Sequence, residues 1–240
     1  MIKHALITGA SGGIGQAIAI KLASKGYHLY LHYNRNENGM KILLEKLHSF
    51  GGEYIPIQAD LSQSDGYKEI VNQIFSIDDV IHCSGNSING LLVDLKQEEA
   101  EALMNVHVIS PLMLSKELLP KLISKRSGTI IVVSSIWGQT GASCEVAYSA
   151  VKGAQISFVK ALSKEVALNG VRVNAIAPGA VETPMMNYLN DEELNALTDE
   201  IPMGRLGLPE EIANGVSFLL SEQATYITGQ VLAINGGWYT

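Results

Sequence analysis

The sequence predicts a single doubly wound α/β domain, a parallel sheet with helices on both faces. Two observations predict it. Short, almost continuously apolar runs alternate with longer stretches of helical period along the whole chain. A glycine-rich turn, Thr8-Gly9-Ala10-Ser11-Gly12-Gly13-Ile14-Gly15, joins the first run to the first helical stretch. No repeat, linker or low-complexity tract divides the 240 residues, a length normal for one such sheet.

The apolar runs are His4–Thr8, His28–Tyr33, Tyr54–Ala59, Asp79–Ser84, Thr129–Ser134, Val171–Ile176 and Gln230–Ile234. They lack the polar alternation of a half-exposed strand, as expected where helices cover both faces. Ile14–Lys25 carries Ile14, Ile18 and Leu22 four apart and stops at Gly26. Gly39–Phe50 stops at Gly51-Gly52, and Val146–Asn169 stops at Gly170. Gln97–Arg126 contains Pro111 and Pro120, which predict a kink, or a break near Pro120. Pro209–Leu220 opens on a first-turn proline. Pro178–Arg205 breaks the pattern. It is rich in Asn, Pro and Met around an NDEEL stretch. It reads as a loop with one or two short helices, forming a substrate lid at about residues 180–205. Met185 and Met186 on it stay unassigned.

Composition excludes some functions. A net charge of −7 argues against nucleic acid as partner, because phosphate contacts need clustered Lys and Arg. It gives no attraction to an acidic membrane surface either. No apolar run approaches the about 20 residues that span a bilayer. The amino-terminal MIKHALITGASGG reads as a strand entering a loop, not as a targeting segment. Cys83 and Cys144 form no CxxC and read as reduced thiols. The expectation is a cytoplasmic protein with no metal site.

The glycine turn has a function to offer. Gly9, Gly13 and Gly15 let a phosphate approach the backbone, and the following helix presents free N–H groups and a positive dipole end. The alternative is a simple tight turn. A dinucleotide site built for NAD places an acid after the second strand. Here that strand enters His32-Tyr33-Asn34-Arg35-Asn36, with no acid before Glu37. Arg35 can pair with a 2′-phosphate, which favours NADP; alternatively it is a solvated surface residue. Asp60, ending the third strand, can accept from the adenine amino group, or cap the segment that follows.

Tyr148 and Lys152 lie one turn apart on a predicted helix. A phenol needs a nearby cation to act as an acid–base group near neutrality, and Lys152 is placed to supply one. Ser135 ends the fifth strand, where its hydroxyl can hold a carbonyl.

Taken with the motifs around them, these residues resemble the short-chain dehydrogenase/reductase family over essentially the whole chain. The resemblance rests on TGASGGIG at Thr8–Gly15, SS at Ser134-Ser135, YSAVK at Tyr148–Lys152, VNAIAPG at Val173–Gly179, VETPM at Val181–Met185 and TGQVLAINGG at Thr228–Gly237. It implies a Rossmann-type seven-stranded sheet of order 3-2-1-4-5-6-7. It implies NADPH/NADP held by Thr8, Gly9, Ser11, Gly13, Ile14, Gly15, Asn34, Arg35, Asp60, Leu61, Gly85, Pro178, Gly179, Val181 and Thr183. Tyr148 would give the proton to a reduced ketone. Lys152 would bind the nicotinamide ribose and lower the Tyr148 pKa, and Ser135 would orient the carbonyl. Two departures stand out. The family's NNAG after the fourth strand is His82-Cys83-Ser84-Gly85 here, and its helix asparagine, thought to hold a relay water, falls on His107. His107 either performs or replaces that relay, or is a packed helix histidine. Asn105 points elsewhere on the helix.

Within the family the chain is similar to the 3-oxoacyl-acyl-carrier-protein reductases. Of the two basic residues with which that group docks its carrier, Arg126 matches one, whereas Asn169 stands at the other. HYNRN, SSIWG, TGASCEV, APGAVETPMMN and DEIPMGRL are similar to the bacterial reductases that act on a 5-aminopentanone group carried by elongation factor P. That resemblance implies a ketone bearing an ammonium. Glu145 would pair with it and Trp137 would wall it; alternatively Glu145 is a solvated acid at a helix start. Cys144 reads as a packing residue. The resemblance implies a homotetramer, with Trp238 exposed in a lone chain and buried at an interface. A protein that binds NADP without catalysis is the competing class, and the intact Ser135, Tyr148 and Lys152 argue against it.

Overall fold

The computed structural model of the chain describes residues 2–186 and 190–240. The cofactor half runs β1 (His4–Ile7), α1 (Gly13–Ala23), β2 (His28–Tyr33), α2 (Glu37–Leu47), β3 (Tyr54–Gln58), α3 (Tyr67–Val71) and β4 (Asp79–His82). There follow α4 (Gln97–Met104), α5 (Ser110–Lys125), β5 (Gly128–Val133), α6 (Trp137–Thr140), α7 (Val146–Val166) and β6 (Val171–Pro178). The chain closes with α8 (Asp191–Glu200), α9 (Pro209–Leu219) and β7 (Val231–Ile234).

The seven strands pair in parallel in the order β3-β2-β1-β4-β5-β6-β7, as expected. The inner strands are largely apolar on both faces because both are covered, whereas the edge strands β3 and β7 are partly exposed. Ile7, Leu31, Ile81, Ile131 and Ile176 face one core with α1, α2 and α9. Their strand neighbours Leu6, Tyr30, Val80, Ile130 and Ala175 face the other core, with α3, α5 and α7. Between β1 and β4 the strand order reverses, and the crevice at the carboxyl ends of these two strands is where such sheets bind ligands.

The long helix departs from expectation. It runs straight through Pro120 to Lys125. Pro120 and Lys116, whose carbonyl the missing N–H leaves free, are both exposed, so solvent satisfies that carbonyl. The irregularity lies earlier, in a π-helical turn over Asn105–Ile109 between α4 and α5. Pro111 has no N–H to give the carbonyl four residues back, that of His107, and Gln155 Nε2 donates to it instead at 2.8 Å.

The segment read as a lid holds a 3-10 turn at Pro184–Met186 and helix α8, capped by Asn190 and Glu193. Residues 187–189 of that segment lie outside the described residues. Its far end is tied to the carboxyl-terminal segment, since Met203 N–H donates to Gly236 O at 3.1 Å. No helix among the described residues is long and apolar enough to cross a membrane.

Candidate active site

The end of β5 and the first turns of α7 bring Ser135, Tyr148 and Lys152 together. Ser134 Oγ donates to the Lys152 carbonyl at 3.0 Å and fixes the helix against the strand. Gly138 lets α6 press on the same turn, because a Cβ there would stand 2.7 Å from the Lys152 carbonyl carbon. Lys152 is buried, with Nζ 5.4 Å from the Tyr148 ring centroid and donating to Val133 O at 2.9 Å. Burial brings the ammonium down to about 8, against a smaller opposing effect of Cys83. Burial and the charge of Glu145 push the Tyr148 phenol well above its usual range, and the hydrogen bond with Ser135 opposes them. Lys152 in this arrangement points to a carbonyl and not to the phenol, so the expected lowering of the Tyr148 pKa is not seen. Burial also raises the Cys83 thiol to about 12, which makes it unreactive, and both cysteines are free.

His107 is fully buried in the π-helical turn, with its ring edge-on to that of Tyr148 at 5.7 Å. Only a glycine at 85 leaves room for it, since a Cβ there would lie 2.6 Å from His107 Cε1. Nε2 stands 2.9 Å from Asn86 O, and Nδ1 has no partner among the described atoms. Burial lowers its pKa to about 3, so the ring is neutral. Asn105 does point elsewhere, donating to Ser62 O at 2.8 Å.

Glu145 and Trp137 meet beside Tyr148. Burial raises the Glu145 carboxyl, and a hydrogen bond from the Trp137 side chain opposes that. The Trp137 ring packs edge-on against Trp238 at 5.0 Å. Trp238 is therefore half-buried within its own chain, contrary to the expectation of an exposed ring, because the carboxyl-terminal segment folds back over α6. Cys144 adopts a left-handed φ of 61°, and its carbonyl accepts from Gly90 N–H at 2.8 Å.

Around the glycine turn the fit is tight. Thr8 Oγ1 accepts from the N–H groups of Cys83 and Ser84 at 3.0 and 3.1 Å. A Cβ on Gly15 would stand 2.2 Å from Gly9 O, and one on Gly13 would stand 2.8 Å from Thr183 Cγ2. Ile14 packs partly into the core, and the Ser11 carbonyl accepts from Asn36 Nδ2 at 2.9 Å. Helix α1 has no side-chain cap and no acid in its first turn. Pro178 O accepts from Ile136 N–H at 3.0 Å, Gly179 N–H donates to Ile234 O at 3.0 Å, and Val181 bridges to Gly207. These contacts fold the chain after β6 back across the glycine turn.

Arg35 is exposed beside Asp60. Asp60 Oδ1 accepts from Asn34 Nδ2 at 3.0 Å and from the Ser62 hydroxyl at 2.7 Å. Asp60 Oδ1 also accepts from Ser62 N–H at 3.0 Å, which closes a local turn, whereas the cap of α3 falls on Gly66, so Asp60 does not cap that helix. Burial opposes its ionisation, but the Ser62 bonds and the Arg35 charge hold the carboxyl below its usual range. Leu61 was expected to contact the cofactor. Its side chain is buried in the α3–α5–α7 core, so any cofactor contact runs through its main chain.

Arg126 ends α5 with Nη2 3.4 Å from Leu168 O. It lies beside Asn169 at the amino ends of β5 and β6, the sheet end opposite to Tyr148. His32, which sequence reasoning left unassigned, is buried in β2 with Nδ1 3.1 Å from Gly9 N; a histidine inside a buried strand next to the glycine turn was the available signal. Among the described residues no group of three or more His, Cys, Asp or Glu forms a metal site.

A family model described as enoyl-(acyl carrier protein) reductase matches residues 9–239. The chain belongs to the short-chain dehydrogenase/reductase family, and it is an oxidoreductase. This short-chain dehydrogenase/reductase is 54% identical, over the full length of both, to the uncharacterized oxidoreductase YmfI of Bacillus subtilis. It is 35% identical to the 3-oxoacyl-[acyl-carrier-protein] reductase FabG of Staphylococcus epidermidis, again over all of both chains. Its fold matches the crystal structure, with NADP bound, of an Agrobacterium tumefaciens protein provisionally named a 2-deoxy-d-gluconate 3-dehydrogenase. The TM-score is 0.90 at 28% identity, with 98% of this chain and 96% of that one covered.

Proposed function

We propose that this enzyme reduces a ketone to a secondary alcohol with NADPH. The observation that carries the reading is the cluster itself, with Tyr148 hydrogen-bonded to Ser135 and Lys152 Nζ 5.4 Å from the phenol ring centroid. A phenol hydrogen-bonded to the serine that holds the carbonyl is placed to donate its proton to the developing alkoxide. Bound NADPH supplies the hydride. Ser135 holds the carbonyl oxygen by its hydroxyl, and Tyr148 gives that oxygen its proton. Lys152 binds the nicotinamide ribose and restores the charge balance of the phenol. His107 stays neutral beside Tyr148, and its free Nδ1 suits a proton relay through water.

The residues fit the dinucleotide. Uncapped α1 starts behind a turn in which only glycine fits at 13 and 15, which is a cradle for a pyrophosphate. Asn34 and Arg35 take the adenosine end, and exposed Arg35 with no acid between β2 and Glu37 favours the 2′-phosphate of NADP. Thr8, Gly9, Ser11, Ile14, Asp60, the main chain of Leu61, Gly85, Pro178, Gly179, Val181 and Thr183 line the rest. The bound NADP of the Agrobacterium structure supports this assignment.

For the substrate we favour a ketone carrying an ammonium, such as the 5-aminopentanone group on a lysine of elongation factor P. Half-buried Glu145 against Trp137 gives the ammonium a carboxylate and an aromatic wall. The FabG relatives favour a second reading, 3-oxoacyl-acyl-carrier-protein reduction. Against it, Arg126 has no second cation at Asn169, and a carrier held there sits at the wrong end of the sheet for Tyr148 of the same chain. A homotetramer is supported by Ile109 and Leu112 of the long helical stretch, 38% and 44% exposed. NADPH oxidation measured in parallel on acetoacetyl thioester and on elongation factor P carrying the aminopentanone decides the substrate. Turnover on the modified factor alone is expected; turnover on the thioester alone overturns the ammonium reading. NADPH binding with no oxidation on any ketone would make the protein a sensor.

A further inference from the structure

His32 is the fifth residue of β2 and lies beneath the glycine turn, 3% exposed. Its strand neighbours are apolar, so a buried imidazole there must find partners for both nitrogens. Nδ1 accepts from Gly9 N–H at 3.1 Å, and Nε2 lies 3.1 Å from Ala59 O. An amide N–H can only donate and a carbonyl can only accept. The pair therefore selects the neutral ring protonated on Nε2. The Ser84 hydroxyl also reaches Nδ1, at 3.3 Å. The His32 main-chain carbonyl accepts from Ala10 N–H at 2.8 Å.

Two consecutive N–H groups of the glycine turn are thus held by one residue. The same ring is pinned to the end of β3 by Ala59 and to the segment after β4 by Ser84. The turn has no slack against that segment. Gly9 sits at φ +68°, and a Cβ on it would stand 2.8 Å from Ser84 Cα. Burial holds the imidazole at about 4, so it stays neutral near pH 7. With Gly9 and Ala10 committed to His32, a phosphate is left to the later N–H groups where α1 begins.

We infer that His32 is a positioning residue for the dinucleotide site: its Nδ1, as acceptor for Gly9 N–H, sets the glycine turn in the shape that receives the cofactor phosphates. The inference rests on reading that turn as the phosphate site. It predicts that the two ring nitrogens are unequal in function. Asn at 32 places an amide oxygen near Nδ1 and keeps the bond from Gly9. Gln places an amide nitrogen near Nε2, keeps the bond to Ala59 and leaves Gly9 N–H unpaired.

The test is NADPH affinity, by fluorescence titration, and steady-state kinetics of His32→Asn and His32→Gln, with thermal unfolding of both. His32→Asn is expected to keep the NADPH Kd within about threefold, and His32→Gln to raise it roughly tenfold, the scale of one unmade hydrogen bond. For both, kcat at saturating NADPH should stay within about threefold. Equal Kd losses that follow thermal stability, or tight binding by His32→Gln, overturn the inference. Failure of the wild-type enzyme to bind NADPH or NADH would instead overturn the cofactor reading itself. Should His32→Gln not fold, amide exchange in the wild-type enzyme gives a second measurement. Slow exchange at Gly9 without cofactor is expected, and fast exchange there in the folded protein overturns the inference.

Discussion

Strand β4 begins and ends in opposite electrostatic worlds. Just ahead of it, Asp78 lies 2.7 Å from Lys125 Nζ and accepts from His4 N–H at 2.8 Å. Asp79, at its first residue, is 1% exposed and accepts from the Tyr27 hydroxyl at 2.9 Å, with Lys3 Nζ 3.8 Å away. Here both carboxylates have donors or cations beside them, although burial raises Asp79. At the other end, His82 is buried against Ser115 Oγ at 2.9 Å with Nδ1 unpartnered. Around it Lys152, His107 and Tyr148 are titratable groups that burial drives toward their neutral forms. The amino end of the sheet spends its polar groups on holding strands together. The carboxyl end leaves His82 Nδ1 and His107 Nδ1 without partners among the described residues, next to the proposed site of proton transfer.

The largest effect that sharpens this contrast is expected for Tyr148→Phe. Turnover of a generic diketone should fall about 10²–10⁴-fold, with thermal unfolding nearly unchanged. Retained turnover would remove Tyr148 as proton donor. Next comes a reciprocal pair. Lys152→Met should abolish most activity yet leave the melting temperature level or higher, because a desolvated ammonium is replaced by an apolar chain of similar size. Asp78→Ala should do the reverse, costing about 1–3 kcal/mol by orphaning His4 N–H and removing the carboxylate partner of Lys125, while kcat stays close to wild type. If Lys152→Met destabilised more than Asp78→Ala, the contrast between the two ends would fail.

Acid stability follows from the buried histidines. Burial lowers His32 to about 4 and both His82 and His107 to about 3. Below about pH 6.5 the unfolded chain protonates these rings and the native state does not. Stability is therefore full above that pH and falls as pH drops toward 3 to 4, by up to about 1.4 kcal/mol per pH unit for each ring. Asp78, held below its usual range by Lys125 and His4 against the opposing effect of burial, adds to the loss at the low end. Asp79, raised by burial, works the other way. Denaturant titrations from pH 7 to 4 measure the slope, and a flat profile would contradict three neutral buried rings. The smallest effect is that of Glu145→Gln. Removing that charge lowers the Tyr148 phenol, so the rising limb of the pH profile for alcohol oxidation should move to lower pH. An unmoved limb would separate Glu145 from Tyr148.

Strand–helix alternation, the glycine turn, and Tyr148 with Lys152 were legible in the sequence, because each is set by local period or by spacing within one turn of helix. That a strand covered on both faces must be apolar is also a local fact, and it located the runs that became all seven strands. Of the expected kink or break near Pro120, the break does not occur, because whether a proline interrupts a helix depends on whether solvent reaches the carbonyl it frees. The place of Trp238 likewise depended on how the carboxyl-terminal segment crosses α6. The juxtapositions that make the site, His107 against Tyr148 through the space left by Gly85, and His32 under Gly9, join residues 22 to 41 positions apart. A partner's identity is invisible to periodicity. Only the sheet order decides which strand ends meet, and so which nitrogen of a buried ring faces which backbone N–H.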